Sequence, residues 1–218
     1  MKVIISGAGR FGRQAAAVLT AAGHQVTLID IDDDRITELG DVLVARLVAG
    51  DACEPTVLEE AGAHTADLLI AATGDDEDNL VIGLLAKRQF AVPRVAARVN
   101  DPDNAWLFDH RWGIDVALPA ATPLISLIEE ATGAADTVAL LRLAKAGVTV
   151  IETAITAQSR TCGRTLADIT MPAGTLVVAL IRDGTTVIPT SHTALRPGDE
   201  LLVITHTADT ADVHAAFQ

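Results

Sequence analysis

Val3-Ile4-Ile5-Ser6-Gly7-Ala8-Gly9-Arg10-Phe11-Gly12 is a short apolar run that feeds straight into a G-x-G-x-x-G turn. A second apolar run ends in Asp30, 18 positions beyond the last glycine. Strand, glycine turn, helix, strand and acid in this register make a β-α-β unit shaped to hold the phosphates and ribose of an adenine nucleotide. Gly7 permits the tight turn out of the strand. Gly9 has no Cβ, so the backbone can approach a phosphate, and Gly12 lets the following helix pack against the sheet. The start of that helix turns unsatisfied N–H groups and a partial positive charge toward an anion. Asp30 is placed to accept from ribose hydroxyls. Asp30, Asp32, Asp33 and Asp34 would repel a 2′-phosphate, with Arg35 the one nearby cation, so NADP is disfavoured.

Outward from this unit the rhythm repeats. Lys2–Ile5, Gln25–Ile29, Val42–Val48, Leu68–Ala71, Arg94–Arg98 and Asp115–Leu118 read as strands. Phe11–Ala22, Asp33–Leu39, Glu54–Ala61, Asp76–Gln89 and Asp103–Trp112 read as the helices between them. Short, nearly continuous apolar runs fit strands buried on both faces of a parallel sheet, so the expected fold is α/β, a doubly wound Rossmann-like sheet. Thr122–Ala131 adds a connecting helix whose Leu124, Leu127, Ile128 and Ala131 form one apolar face, expected to be buried against its own domain or a second subunit. Beyond it Thr137–Leu143, Val148–Ile155, Thr175–Arg182, Thr185–Pro189 and Glu200–Thr205 read as strands, with a last helix over Ala208–Phe217. Asp183-Gly184 marks a tight hairpin. A small α+β domain therefore follows the first, with domains expected over 1–133 and 134–218.

Composition narrows the function. A net charge of −13 has the wrong sign for gripping nucleic-acid phosphates, and six aromatic residues leave few platforms for stacking bases. No window holds the ~18 uninterrupted apolar residues of a membrane span, so a membrane role needs a separate embedded partner. Met1–Ser6 is a strand-sized run, not a signal peptide. Two cysteines, Cys53 and Cys162, make no disulfide framework or multi-cysteine metal site.

Further residues are expected at the same crevice. Arg10, within the glycine turn, either extends over the phosphates or lies in solvent. Asp51, after the third strand with Gly50 and Ala52, either accepts from the adenine amino group or caps the next helix. Thr73-Gly74 follows the fourth strand and Arg98 ends the fifth, so both can face the ligand. Asp75-Asp76-Glu77-Asp78 opens a helix, where the dipole favours negative charge, and is not read as a metal site. Catalytic groups are not evident. The absence of tyrosine excludes a Tyr–Lys short-chain dehydrogenase, and the cysteine count excludes the cysteine-rich zinc dehydrogenases.

Val3 to Gly12, Leu28-Ile29-Asp30, Gly50-Asp51-Ala52, Ala71 to Asn79 and Ala97-Arg98-Val99-Asn100 together resemble the N-terminal RCK domain of the TrkA/KtrA-type regulators of potassium uptake. Gly163-Arg164-Thr165-Leu166, Ala179 to Arg182, Val187-Ile188-Pro189 and Arg196 to Val203 resemble the companion C-terminal RCK domain. The resemblance spans nearly the whole chain in the family's order. It implies a cytoplasmic, non-catalytic regulator, peripheral to the inner face of the membrane, that gates a separate integral-membrane potassium channel or transporter. It implies a homodimer that assembles into a larger ring. It also implies NAD(H) or ATP/ADP in the N-terminal crevice, with Gly7, Gly9, Arg10, Phe11 and Gly12 on phosphates and Asp30 on ribose. Asp51 and Ala52 would edge the adenine, and Arg98 would balance phosphate charge. A second ligand, in some relatives cyclic di-AMP, would lie near Val177–Arg182 and Val187–Pro189. Pro119-Ala120-Ala121 lacks the glutamate with which several relatives bind cations. A small NAD-dependent oxidoreductase, or a regulator of another cation transporter or antiporter, are the alternatives. In the regulatory reading, ligand at the glycine turn changes the angle between paired N-terminal domains and the connecting helix transmits the change.

Overall fold

The apolar runs of the first half pair side by side. In the computed structural model, which describes residues 1–40, 43–143 and 146–218, they form β1 (Lys2–Ser6), β2 (Gln25–Asp30), β3 (Arg46–Ala49), β4 (Leu68–Ala71), β5 (Arg94–Val99) and β6 (Val116–Pro119). The sheet order is β3-β2-β1-β4-β5-β6 and every pairing is parallel. This is the doubly wound order in which the strand sequence reverses beside β1, leaving a crevice at the carboxyl ends of β1 and β4. Ile4, Ile29, Leu69 and Val95 face one core, and Val3, Ile5, Leu28 and Ile70 face the other. Both faces are covered, which is why the strands read as unbroken apolar runs and not as alternating ones. The covering helices are α1 (Arg10–Ala21), α2 (Asp33–Leu39), α3 (Pro55–Glu60) and α4 (Asp76–Arg88).

Two expected elements of this half differ by more than their end residues. The third strand, expected over Val42–Val48, begins at Arg46. Ala45 N–H bonds to the carbonyl of Leu43, a tight turn that delays pairing with β2 until Thr27 meets Arg46. Asp41 and Val42 lie outside the described residues. The helix expected over Asp103–Trp112 is two 3₁₀ turns, Pro102–Leu107 and His110–Trp112. Asp109 breaks it: its backbone is extended (φ −132°, ψ −175°), and its carboxylate accepts from the Arg111 N–H, so the chain restarts there.

The second unit holds α5 (Thr122–Thr132), β7 (Thr137–Leu143), β8 (Val148–Ala154), β9 (Thr175–Arg182), β10 (Thr185–Val187), β11 (Glu200–Thr205) and α6 (Thr210–Phe217). Its antiparallel sheet runs β10-β9-β11-β8-β7 around a core of Ile151, Leu180, Leu201, Val203, Val213 and Phe217. Asp183 and Gly184 take φ values of 51° and 71°, the paired left-handed residues of the hairpin turn between β9 and β10. Asp209 caps α6 through its carboxylate, which starts that helix two residues later than expected. The strand expected over Thr185–Pro189 stops at Val187, short of the proline.

The chain divides into compact units between Ala121 and Thr122. The helix α5 thereby groups with the second unit, where it packs on β7, and not with the first as in the 1–133 expectation. The burial expected for its apolar stripe is not supplied by the described residues: Leu124, Leu127 and Ile128 stay 63%, 51% and 61% exposed.

Candidate nucleotide-binding crevice

The three glycines of the first turn separate by cause. Gly7 has φ +98°, and a Cβ there would lie 2.6 Å from the carbonyl oxygen of Ala72. It is required by the backbone and joins the turn to the end of β4. A Cβ at Gly12 would lie 1.9 Å from the carbonyl oxygen of Gly7, so this glycine lets the helix close on its own turn. Gly9 is different. Its φ is −64°, and a Cβ would meet no atom within 4 Å. Among the described residues nothing asks for glycine at position 9, and the open cradle beside it fits a phosphate oxygen. Gly74, after β4, likewise borders open space.

The electrostatics of α1 agree with that fit. Gly9 is its N-cap, supplies no side-chain acceptor, and the first turn carries no acid. The N–H groups that end a helix are thus left for an external anion. The helix α4 is the converse, with Asp76, Glu77 and Asp78 already in its first turn. Arg10 and Phe11 lie exposed beside the cradle, and neither Arg10 nor Arg98 forms an ion pair among the described residues.

Asp30 ends β2 at 7% exposure. Its Oδ2 accepts from the Ala8 N–H at 2.6 Å; its Oδ1 accepts from the Asp32 N–H at 3.0 Å and from Arg35 Nη1 at 2.9 Å. The carboxylate, at the carboxyl end of β2, therefore braces the glycine turn. Gly50 N–H bonds to the Asp30 carbonyl at 2.9 Å, which carries the chain to Asp51. Asp51 Oδ1 accepts from the Cys53 N–H at 2.8 Å, a turn-capping role within the chain. Ala52 is buried in the core. Cys53 is half-buried, and burial together with the nearby Asp78 and Asp51 carboxylates pushes its thiol up to about 12. It is a protonated packing residue at neutral pH.

Thr73 is tied down completely. Its N–H and hydroxyl both donate to Asn79 Oδ1 at 2.9 Å, and its carbonyl accepts from Asn79 Nδ2 at 3.4 Å and Asn100 Nδ2 at 3.3 Å. Asn79, fully buried on α4, also donates to the Arg98 carbonyl at 3.0 Å. Asp76 accepts from the Asn100 N–H at 2.7 Å, Asn100 Nδ2 at 3.1 Å, the Asp101 N–H at 3.0 Å and Asn104 Nδ2 at 3.0 Å. Burial alone would push the Asp76 carboxyl up, but these bonds outweigh it and hold the group below its ordinary range. Asp76 is thus more than dipole decoration: with Asn79 it binds the loops after β4 and β5 into one floor. Sequence reading quoted Asn79 and Asn100 only within the stretches of family resemblance, gave them no role, and passed over Asn104. Ser6, fully buried at the end of β1, keeps a hydroxyl without a partner among the described residues.

Two other places bear on ligands. A cavity of about 620 Å³ lies at the opposite, amino-terminal edge of the sheet, lined by Lys2, His24, Gln25 and Arg46 among others, away from the glycine turn. In the second unit, Arg182 on β9 donates through Nε and Nη2 to Asp199, each at 2.7 Å, and to the Ala194 carbonyl at 2.9 Å. The guanidinium in the second-ligand region is therefore engaged inside the fold, while Ile188 stands 86% exposed.

Residues 3–119 match the family model of the TrkA-N domain, and residues 150–218 that of the TrkA-C domain. The chain is 39% identical over 204 residues to the Trk system potassium uptake protein TrkA of Mycobacterium tuberculosis, covering 94% of this chain and 92% of the relative. Among solved structures, the GsuK channel superposes with a TM-score of 0.61 at 19% identity, covering 99% of this chain and 39% of that one, so this chain spans about two fifths of its length. The Shewanella denitrificans Kef CTD in AMP-bound form aligns at 27% identity and TM-score 0.53, over 62% of this chain and 81% of that one. GsuK bound to ADP aligns at 28% identity and TM-score 0.51, over 60% of this chain and 34% of that one.

Proposed function

From the premise that this chain belongs to the TrkA family, with a TrkA-N and a TrkA-C domain in order, we propose that it is a nucleotide-sensing regulatory subunit that gates a separate membrane potassium channel or transporter. The observation that carries the sensing half is the Gly9 cradle: an open space at an uncapped helix start, flanked by Arg10 and the buried Asp30. The transport half draws on the potassium-uptake relative, and the adenine-nucleotide half on the relatives described as AMP-bound and ADP-bound. No helix among the described residues is long and apolar enough to cross a membrane; in this reading ion flow is controlled through a membrane partner. This reading places the chain at the cytoplasmic face.

Regulation requires that ligand bind two conformations with different affinity. Exposed Arg10 distinguishes the ligands, because a triphosphate presents more charge to it than a diphosphate does, and gating follows where its reach to that charge differs between the two conformations. The exposed apolar face of α5 fits subunit pairing and transmission toward the membrane protein. The crevice has the donors to bind NAD(H) or ATP/ADP, and the role assigned is binding without turnover.

Titration calorimetry with ATP, ADP, AMP, NAD and NADH tests the site. Binding by the wild type that falls at least tenfold in Asp30→Ala supports it; equal titration of both proteins by every ligand overturns it. Co-purification with a membrane potassium transporter, and loss of that transporter's nucleotide response in Arg10→Ala, test the gating.

A further inference from the structure

Counting acceptor positions on Asp30 limits how a ribose is read. A carboxylate offers about four, two on each oxygen. Oδ1 has both filled, by the Asp32 N–H and Arg35 Nη1, and Oδ2 has one filled, by the Ala8 N–H. One position remains, on Oδ2, whereas an adenosine ribose brings two adjacent hydroxyls. Ala8 and Asp32 donate from the backbone and are fixed by the turns they belong to. Arg35 is the movable donor: its side chain is 43% exposed on α2, and its Nη2 also reaches Asp32 Oδ2 at 3.1 Å.

Resting on the crevice being an adenine-nucleotide site, we infer that Arg35 determines ribose specificity, because its guanidinium occupies the position on Asp30 that the second hydroxyl would need. The two ribose hydroxyls are then inequivalent. One is held by a charge-assisted bond to Oδ2, and the other finds no acceptor on the carboxylate. Removing Arg35 opens Oδ1 and makes the pair equivalent.

Calorimetry with ATP, 2′-deoxy-ATP and 3′-deoxy-ATP decides the matter. In the wild type one deoxy analogue is expected to bind about tenfold more weakly than ATP and the other within about twofold. In Arg35→Met, of similar length but without donors, both analogues are expected to fall about tenfold below ATP, whereas Arg35→Lys keeps the wild-type pattern. Equal losses with both analogues in the wild type overturn the inference and leave the crevice standing. A wild-type pattern in Arg35→Met also overturns it. A wild type that binds none of ATP, ADP, AMP, NAD and NADH overturns the nucleotide reading itself. The wild-type comparison stands without the variants, so it needs no substituted chain to fold.

Discussion

Gly9 and Gly12 look alike in the motif and differ in kind. A methyl group at position 12 collides with the Gly7 carbonyl at 1.9 Å, whereas one at position 9 enters empty space. Gly12→Ala is therefore expected to lose more than about 3 kcal/mol of stability, because backbone must shift. Gly9→Ala is expected to change stability by less than about 1 kcal/mol, the scale of an N-cap exchange, while weakening nucleotide binding about tenfold. Thermal melts paired with calorimetry check both; a Gly9→Ala protein that binds normally removes the cradle from the site. At this scale the sequence was informative where geometry is local. The glycine spacing and Asp30 could be read because the turn follows from neighbours in the chain. The engagement of Thr73 could not, since Asn79 satisfies it through side-chain geometry that no spacing rule encodes, whereas the local bond from the Cys53 N–H to Asp51 is close to the capping alternative the sequence offered.

At the scale of elements, the floor of the crevice depends on α4. Asn79 is fully buried and serves Thr73 and Arg98 together, so Asn79→Ala leaves the Thr73 N–H and the Arg98 carbonyl without partners. The expected cost is about 2–4 kcal/mol of stability in the first unit, followed by urea denaturation; a loss under about 0.5 kcal/mol would remove the brace. Most elements were legible, because strands buried on two faces announce themselves as apolar runs and α2, β4, β7, β9 and β11 fall where periodicity puts them. The segment Pro102–Trp112 was not, because helical composition there yields to Asp101 and Asp109, whose carboxylates take backbone N–H groups and cut the run into 3₁₀ turns. The α5 stripe was legible as apolar but not as exposed. A single sequence shows an apolar pattern without showing what, if anything, meets it.

Across the whole molecule, each unit has its own electrostatic keystone, and in the second it is Arg182–Asp199. Burial alone pushes the Asp199 carboxyl up, but the Arg182 hydrogen bonds and the Arg196 N–H outweigh it, so the group titrates below its ordinary value. A depressed carboxylate contributes stability in full above its unfolded value, near about 4, and loses it as pH falls through the folded one. Asp199→Asn is thus expected to destabilise the second unit by about 3 kcal/mol at pH 7, with the gap closing below about pH 4. Melting curves between pH 7 and 3 test this, and a gap constant with pH overturns it. The division at Ala121 also has a calorimetric corollary. Every residue assigned to the nucleotide precedes it. A ligand recognised only by the native first unit adds about 2.7 kcal/mol to that unit's unfolding at a hundred times its dissociation constant. Heated with rising ATP, the protein is expected to show one endotherm climbing away from a stationary second, so that the melting profile itself becomes a map of which half of the chain hears the nucleotide.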